Sequence, residues 1–227
     1  MRIPSAPHVI ALWEAALQAR RGEAGLALLR CADGRADDEL VSLPIGRRDR
    51  LLYELRARLL GPALHLRAAC PRCGELVEAE LDALPAPPPT PEIHRIRVGE
   101  RVLQFRLPSA ADVAAASDSP DPQRTLLARC LEPPADLDDT LADAVLTAMA
   151  EQDPDADLRL GLSCPACAHE WPATLDIESF FRAELGAWAR RFALEVDALA
   201  RTYHWAEADI LAMSPARRQL YLDRVTG

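Results

Sequence analysis

Two short segments of the chain repeat one pattern around a pair of cysteines. The first pair lies in Cys70-Pro71-Arg72-Cys73 and the second in Cys164-Pro165-Ala166-Cys167. Hydrophobic residues precede each pair at the same offsets, namely Leu64, Leu66 and Ala68 in the first copy and Leu158, Leu160 and Leu162 in the second. Polar residues alternate with them, and a similar alternation follows each pair. Each copy is therefore predicted to form a β-hairpin with both thiols at its tip.

Two such tips supply four thiolates, which is the usual ligand set of a structural zinc site. Two intervening residues allow both sulfurs of one turn to face the same ion at about 2.3 Å. Four sulfur ligands leave no coordination position for water or substrate, so the metal is predicted to be structural. The predicted ligands of one Zn²⁺ are Cys70, Cys73, Cys164 and Cys167. His169 is an alternative to one of these thiolates.

Redox chemistry and disulfide formation are the competing interpretations of the cysteine pairs. A thioredoxin-type pair begins a helix, which lowers the pKa of its first thiol, whereas both pairs here lead into strand patterns. Disulfides need an oxidising compartment, and the N-terminus lacks the basic start and apolar core of a secretory signal peptide. The metal interpretation is favoured over both. Cys31 and Cys130 have no nearby partner in the sequence and are predicted to be small buried residues.

The charge of the chain argues against nucleic acid as the main partner. The formal net charge is −9, and all 26 basic residues are arginine. Binding to phosphate backbones requires a basic face, and no basic and aromatic residues interleave along the hairpins. No apolar run reaches the roughly 18 residues of a membrane-spanning helix. A nucleic-acid-binding or transcription adaptor nevertheless stays open as the second interpretation, because zinc ribbons often serve nucleic acid.

The pattern along the chain predicts an α+β fold that is mainly helical. It contains a zinc ribbon split between two distant hairpins, and a further hairpin that turns at Gly99-Glu100. Helices in the insertion are predicted to begin after the capping residues Ser109, Asp121 and Asp136, and the longest helix is predicted over 177–203. The predicted regions are an N-terminal helical region 1–62, the split ribbon 63–83 plus 157–178, an insertion 84–156 that starts with a proline-rich linker, and a C-terminal helical region 179–227.

A helix over 47–60 carries an apolar stripe on one side and arginines on the other. Its arginines are Arg47, Arg48, Arg50, Arg56 and Arg58. A solvated basic face is the favoured interpretation. The sharper hypothesis is that Arg47, Arg48 and Arg50 dock onto an acidic partner.

Catalytic motifs are absent from the sequence. It has no glycine-rich phosphate loop, no Gly-x-Ser-x-Gly elbow and no His-Glu-x-x-His zinc helix. Its five histidines are scattered, without a recognisable nucleophile beside them. The chain is therefore predicted not to be an enzyme, and a thiol oxidoreductase is the least favoured of the three functional classes.

Four stretches together resemble a known family. They are Leu43-Pro44-Ile45-Gly46-Arg47-Arg48-Asp49-Arg50-Leu51-Leu52, Cys70-Pro71-Arg72-Cys73-Gly74, Arg106-Leu107-Pro108-Ser109-Ala110-Ala111-Asp112, and a tail from Tyr203-His204-Trp205 through Arg217-Arg218 to Tyr221-Leu222. They resemble baseplate proteins of T-even-type contractile-tailed bacteriophages and of related extracellular contractile injection systems. The resemblance implies a non-enzymatic component or assembly factor of the baseplate hub. Its expected partners are hub, spike or tube-initiating subunits in the cytoplasm of the producing bacterium, either kept in the particle or released from it.

Overall fold

The structure is a computed structural model that describes residues 5–19, 23–33, 36–81, 91–135 and 137–226. The helices are α1 (Ala6–Gln18), α2 (Ala24–Asp33), α3 (Asp37–Ser42), α4 (Ile45–Leu60), α5 (Ala110–Ser117), α6 (Pro122–Cys130), α7 (Asp139–Gln152), α8 (Ile177–Tyr203), α9 (Glu207–Leu211) and α10 (Pro215–Thr226), with a 3-10 helix at Pro154–Asp157. The strands are β1 (Leu64–Ala69), β2 (Leu76–Leu81), β3 (His94–Val98), β4 (Arg101–Phe105), β5 (Arg159–Ser163) and β6 (Glu170–Thr174). They pair as three antiparallel hairpins, β1-β2, β3-β4 and β5-β6. The predicted mainly helical α+β class is confirmed.

The largest hydrophobic core lies among α1, α2, α4 and the first half of α8. Its fully buried side chains include Leu12, Leu28, Leu52, Phe181 and Leu185. This packing brings α4 and α8 together, although they are distant in sequence. Helix α4 leads into β1 of the first cysteine hairpin, and α8 follows β6 of the second. The bases of the two cysteine hairpins are therefore held on the same helical support.

Arg56 joins α4, α8 and the start of β1. Its side chain is 3 % exposed, and its Nε and Nη2 donate to the Glu184 carboxylate at 2.9 and 2.7 Å. Its Nη1 donates to the backbone carbonyls of Gly61 and Ala63 at 2.6 and 2.8 Å. Gly61 ends α4 with a φ of 100°, a conformation that glycine adopts at little steric cost. One buried guanidinium thus fixes the direction in which the chain leaves α4.

The 3-10 helix of the insertion packs on the first turn of α4. Arg50 donates to Asp155 Oδ2 from Nη2 at 2.6 Å, and the backbone N–H of Gly46 donates to Asp153 Oδ2 at 2.9 Å. Asp153 therefore caps a helix whose own N-cap residue, Pro44, offers no side-chain acceptor. A Cβ atom at position 46 would overlap the Asp153 carboxylate, so this contact needs glycine.

The prediction of a solvated arginine face on α4 is wrong for two of its residues. Arg50 is 5 % exposed and Arg56 is 3 % exposed, because each pairs with a carboxylate from another part of the chain. Hydrogen bonds satisfy all three nitrogens of the Arg56 guanidinium, whereas Nη1 of Arg50 is buried without a partner among the described residues. The helix period marks the position of each arginine, but it says nothing about distant acidic partners.

The insertion has a second hydrophobic core, formed by β3-β4, α6 and α7. Phe105, Leu127, Val145 and Met149 are buried there, together with Cys130, which is fully buried. The predicted burial of Cys130 is confirmed, and burial raises the pKa of its thiol to about 11. Because an apolar environment disfavours the thiolate, this cysteine is unreactive.

Cys31 is exposed, so its predicted burial is wrong. The apolar face of α2 is formed by Leu28 and Leu29, which are both fully buried. Cys31 falls on the other side of this helix, next to Arg30. Its helical position, and not its residue type, therefore decides its exposure.

Two of the three predicted helix caps in the insertion are confirmed. Ser109 and Asp112 form a reciprocal capping box at α5, and Asp121 accepts a hydrogen bond from the Arg124 N–H at the start of α6. The third predicted cap, Asp136, lies outside the described residues. The observed cap of α7 is Asp138, which accepts from the Leu141 N–H at 2.9 Å.

Asp112 is the centre of a buried charge cluster. Its side chain is 1 % exposed and accepts hydrogen bonds from Arg106, from Arg129 Nε at 2.8 Å and from Ser109 Oγ at 2.7 Å. Burial alone would raise the pKa of this carboxyl, but the hydrogen bonds from Arg106, Ser109 and Arg129 outweigh it and hold the pKa well below its usual range. The charged carboxylate therefore contributes to the stability of the insertion.

Helix α8 has 27 residues and extends beyond the main core. Its bounds are those predicted from the sequence. Its second half packs against α9 and α10 around Leu199, Ile210 and Leu222. We call α9, α10 and residues 190–203 of α8 the C-terminal bundle. Within the described residues, no helix is both long and apolar enough to span a membrane.

We expect Asp112→Asn to destabilise the protein in a pH-dependent way. Loss of one member of a buried ion pair typically costs about 3–5 kcal/mol. Because the folded-state pKa lies below the unfolded value of about 3.9, the stabilisation is complete above about pH 4 and is lost as the pH falls through the folded-state pKa. Equilibrium denaturation should therefore show a large gap between wild type and variant at pH 7 that narrows under acidic conditions.

Asp139→Asn is the matched control, since the Asp139 side chain is 96 % exposed. It should change the free energy of unfolding by less than about 0.5 kcal/mol. Equal losses in the two variants, or a gap that does not depend on pH, would contradict the assigned role of Asp112.

Candidate metal centre

The two cysteine hairpins end in turns with the same hydrogen-bonding pattern. In the first turn, the Cys70 N–H donates to the Glu75 carbonyl at 2.8 Å, and the Gly74 N–H donates to the Cys70 carbonyl at 2.9 Å. The second turn repeats these bonds, from Cys164 to the His169 carbonyl and from Ala168 to the Cys164 carbonyl, both at 2.9 Å. The duplication seen in the sequence is therefore a duplication of backbone structure.

The turns meet at their tips and bring all four predicted ligands together. The Sγ atoms of Cys70, Cys73, Cys164 and Cys167 all lie within 4.8 Å of one another. The shortest contacts cross between the hairpins, at 3.7 Å from Cys70 to Cys167 and 3.6 Å from Cys73 to Cys164. Four sulfurs placed about 2.3 Å from one zinc ion form a tetrahedron with edges of about 3.8 Å. The donor set and its spacing fit such an ion.

His169 is not part of this cluster. Its imidazole stacks on the Trp171 ring, with centroids 6.0 Å apart and planes inclined by 7°. Trp171 in turn packs with Val77 against the cysteines. The alternative that His169 replaces one of the thiolates as a ligand is therefore not favoured.

The cluster is half enclosed by the protein. Cys70 and Cys164 are buried, with exposures of 3 % and 2 %, whereas Cys73 is exposed and Cys167 is intermediate. The first cysteine of each pair thus lies against the hairpin, and the second lies nearer the surface.

The thiols influence one another's ionisation. Burial would raise the pKa of Cys70, but backbone N–H groups of Arg72 and Cys73 outweigh it and lower the pKa to about 7. At Cys73, the backbone N–H of Glu75 favours the thiolate, yet the sulfurs of Cys167 and Cys164 dominate and raise the pKa to about 12. Neighbouring sulfurs therefore cannot all be charged unless a cation compensates them.

The residue after each cysteine pair has a positive φ angle. Gly74 has a φ of 78° and Ala168 a φ of 53°. Glycine adopts this conformation freely, whereas alanine is strained there by about 1–2 kcal/mol. The second turn thus carries a strain that the first avoids, and the hydrogen bonds of the turn and the packing of the hairpin hold it in place.

We expect the substitutions Gly74→Ala and Ala168→Gly to change the free energy of unfolding in opposite directions. Gly74→Ala should lower the free energy of unfolding by about 1 kcal/mol or more, because a Cβ there meets no neighbour within 4 Å and the φ angle alone is unfavourable. Ala168→Gly should raise it by up to about 1 kcal/mol. Gly161→Ala in β5 is the control without a positive φ and should not destabilise. A loss of stability in all three variants would contradict this explanation.

The three arginines predicted to contact a partner occupy different environments. Arg47 is exposed. Arg48 has a 13 % exposed side chain and donates from Nε to Asp49 at 2.7 Å. Arg50 is buried against Asp155 and is not available to a partner. Burial raises the pKa of Asp49 to about 6 despite the attraction of Arg48.

The carboxylates that pair with Arg50 and Arg56 were not predicted from the sequence. Asp155 and Glu184 lie 105 and 128 residues from their partners in the chain, so no local pattern links them. One signal was available, because Pro44 at the start of α4 cannot cap the helix with its side chain. A capping group from elsewhere was therefore required, and Asp153 supplies it.

The fold and the cluster define a mainly helical protein in which two distant hairpins bring four thiols close together. A family model described as "T4 bacteriophage base plate protein" matches residues 26–140, just over half of the chain. The chain belongs to this family, which confirms the resemblance found in the sequence. No curated protein and no solved structure matches it. The matched segment includes Cys70 and Cys73 but ends before Cys164 and Cys167.

Proposed function

We propose that the protein is a non-enzymatic structural or assembly component of a contractile-tail baseplate. The observation that carries this proposal is the family match over residues 26–140. Its expected partners are other baseplate proteins, namely hub, spike or tube-initiating subunits. Assembly would take place in the cytoplasm of the producing bacterium, and the chain would either stay in the tail or injection particle or leave it as a chaperone.

We further propose that one zinc ion is held by the four cysteines. The sulfur spacings of 3.6 and 3.7 Å and the matching turns support this assignment. When bound, zinc supplies a cross-link between hairpins that are separated by residues 74–163. Structural zinc contributes on the order of 10 kcal/mol in small modules. Four thiolates complete its coordination, so the site has no position for a substrate.

The protein's own residues turn this cross-link into a rigid support. Arg56 connects the end of α4 to Glu184 on α8, and β1 and β6 lead from these helices to the cysteines. Anything docked on the helices therefore keeps a defined orientation relative to the hairpins. The proposed contacts to an acidic surface of a partner are Arg47 and Arg48. Arg48 would exchange its pairing with Asp49 for the partner's carboxylate.

We expect about one zinc per chain in protein purified from cells without added metal, measured by elemental analysis. Cys73→Ser should weaken zinc binding by roughly 100-fold or more in a chelator competition, because one of four ligands is lost. Cys31→Ser is the control, since both cysteines are exposed and only one belongs to the cluster.

Two results would count against the zinc assignment. A zinc content near zero, together with four reactive thiols, would exclude the proposed structural metal. Disulfides that re-form in freshly reduced preparations would favour the thiol oxidoreductase interpretation.

The baseplate role is tested by recovering the tagged chain from a bacterium that is producing particles. Mass spectrometry should identify hub, spike or tube-initiating subunits in the recovered material, and deletion of the gene should prevent the assembly of complete tails. Arg47→Glu should reduce this recovery while leaving thermal stability nearly unchanged, because one exposed charge contributes about 0–1 kcal/mol to folding. Arg101→Glu, on the exposed part of β4, is the matched charge reversal.

The alternatives give different outcomes in the same experiment. Recovery of RNA polymerase or nucleic acid without tail components would replace the baseplate role by the adaptor role. Equal recovery of the Arg47 and Arg101 variants would leave the baseplate role standing and remove Arg47 as a contact.

A further inference from the structure

The outer edge of β1 has free backbone groups. The Cys70 N–H donates to the Glu75 carbonyl, and in an antiparallel pair the hydrogen-bonded residues then recur at every second position. The N–H and C=O groups of His65, Arg67 and Ala69 therefore point away from β2. Among the described residues, none of these groups forms a backbone hydrogen bond. The edge thus offers both donors and acceptors to an added strand.

Strand β6 of the other cysteine hairpin is protected against such an addition. The Leu175 N–H donates to the Leu158 carbonyl, so the pair of Gly161 and Pro172 lies between hydrogen-bonded positions. The Pro172 nitrogen therefore points outward and has no hydrogen to donate. Proline on an edge strand is a common device against strand addition. Strand β1 contains no proline.

The outer edge of β1 leads towards α8. The peptide group between Ala63 and Leu64 is trans, so its carbonyl points outward when its N–H faces β2. This carbonyl accepts from Arg56 Nη1 at 2.8 Å. Arg56 and its partner Glu184 on α8 therefore lie on the outer side of β1.

A pocket of about 360 Å³ lies between the start of β1 and α8. Ala63 and His65 line it from the strand, and Glu184, Ala187 and Arg191 line it from α8. Its volume is at the lower end of the range for ligand pockets, about 300–1,000 Å³. A segment added along β1 would therefore pass a pocket that can take one of its side chains.

The charges around the pocket favour an acidic side chain. Both carboxylate oxygens of Glu184 accept from Arg56, so these two charges compensate each other. Arg191 is exposed and forms no ion pair among the described residues. The acidic residues Glu78 and Glu80 lie on β2, with β1 between them and the pocket. Arg191 thus leaves a local excess of positive charge beside the strand edge.

We propose that the outer edge of β1 and the adjoining pocket bind an extended segment of another baseplate protein by strand addition, with an Asp or Glu side chain of that segment facing Arg191. Backbone hydrogen bonds supply affinity in this binding mode, and a pocket for one side chain supplies specificity. The inference rests on the proposed function and adds a contact site separate from Arg47. The α8 side of the pocket lies outside residues 26–140, so the family match does not assign this role.

A second copy of this chain fits the edge less well. Antiparallel pairing of two β1 strands centred on Arg67 would place two arginines directly opposite each other, which is unfavourable. The only charged or titratable residues of β1 are His65 and Arg67, so this strand offers no carboxylate to Arg191. Nucleic acid has no backbone that continues a β-ladder. A partner strand with an acidic side chain complements both the edge and the pocket.

Site-specific photo-crosslinking in particle-producing cells locates the contact. A photoreactive phenylalanine analogue replaces Ala69, which is exposed near the end of β1. In the control chain it replaces Thr174, which is exposed on β6 beside Pro172. We expect position 69 to crosslink to a segment of one baseplate protein that contains Asp or Glu. Position 174 should give no crosslink to that segment.

Two substitutions at position 67 test the role of the backbone. Arg67→Pro and Arg67→Ala both remove the ion pair with Glu78, but only proline also removes the outward-pointing N–H. Because this N–H takes no part in the β1-β2 ladder, proline is compatible with the hairpin. The crosslink from position 69 should be about tenfold weaker with Arg67→Pro than with Arg67→Ala, since a partner carbonyl loses its donor. Circular dichroism should be the same for both variants.

Charge reversals on α8 test the pocket and remain decisive if Arg67→Pro does not fold. Arg191→Glu should lower the crosslink yield roughly tenfold, because it replaces an attraction to the partner carboxylate by a repulsion. Arg182→Glu makes the same change in charge at an exposed residue of α8 that does not line the pocket. It should leave the yield unchanged.

The outcomes separate this inference from the proposed function. If tail components are recovered with the chain but position 69 gives no crosslink to them, strand addition at β1 is wrong and the baseplate role stands. Equal yields from the folded proline and alanine variants, or from the two α8 variants, also overturn it. Crosslinks from position 69 to a second copy or to nucleic acid do the same. Failure of the chain to associate with any tail component overturns the proposed function itself.

Discussion

The contact between α4 and α8 gives both cysteine hairpins a common support, through buried leucine and phenylalanine side chains and the ion pair between Arg56 and Glu184. It connects the helix that leads into the first hairpin to the helix that follows the second. The same guanidinium holds the Gly61 and Ala63 carbonyls, so it also sets the path into β1. Together with the hydrophobic contacts between α4 and α8, this ion pair gives two hairpins at opposite ends of a long insertion a common base.

Local signals in the sequence were sufficient for much of the fold. The alternating residues around each cysteine pair predicted both hairpins, and the repetition of the whole pattern predicted that the two pairs meet as a four-thiol cluster. Ser109 and Asp121 marked helix starts because a capping side chain acts within three residues of its own position. The bounds of α8 were also predicted correctly, and the structure shows Asp176 at its start, where the carboxylate accepts from the Ser179 N–H at 3.1 Å.

Features that depend on distant parts of the chain were not predicted. The burial of Arg50 follows from Asp155, and the cap of α4 comes from Asp153, more than 100 residues away. Cys31 was predicted to be buried because of its residue type, although its position on α2 turns it outward. Periodicity locates a side chain on a helix, but only the tertiary fold decides what faces it.

The insertion has its own hydrophobic core and is joined to the two cysteine hairpins at the end of β2 and the start of β5. The entropic free-energy cost of closing such a loop grows only with the logarithm of its length, by about 0.6 kcal/mol for each doubling. A longer segment between the hairpins would therefore add little to the cost of closing them, provided that Asp153 and Asp155 still reach Gly46 and Arg50 on α4.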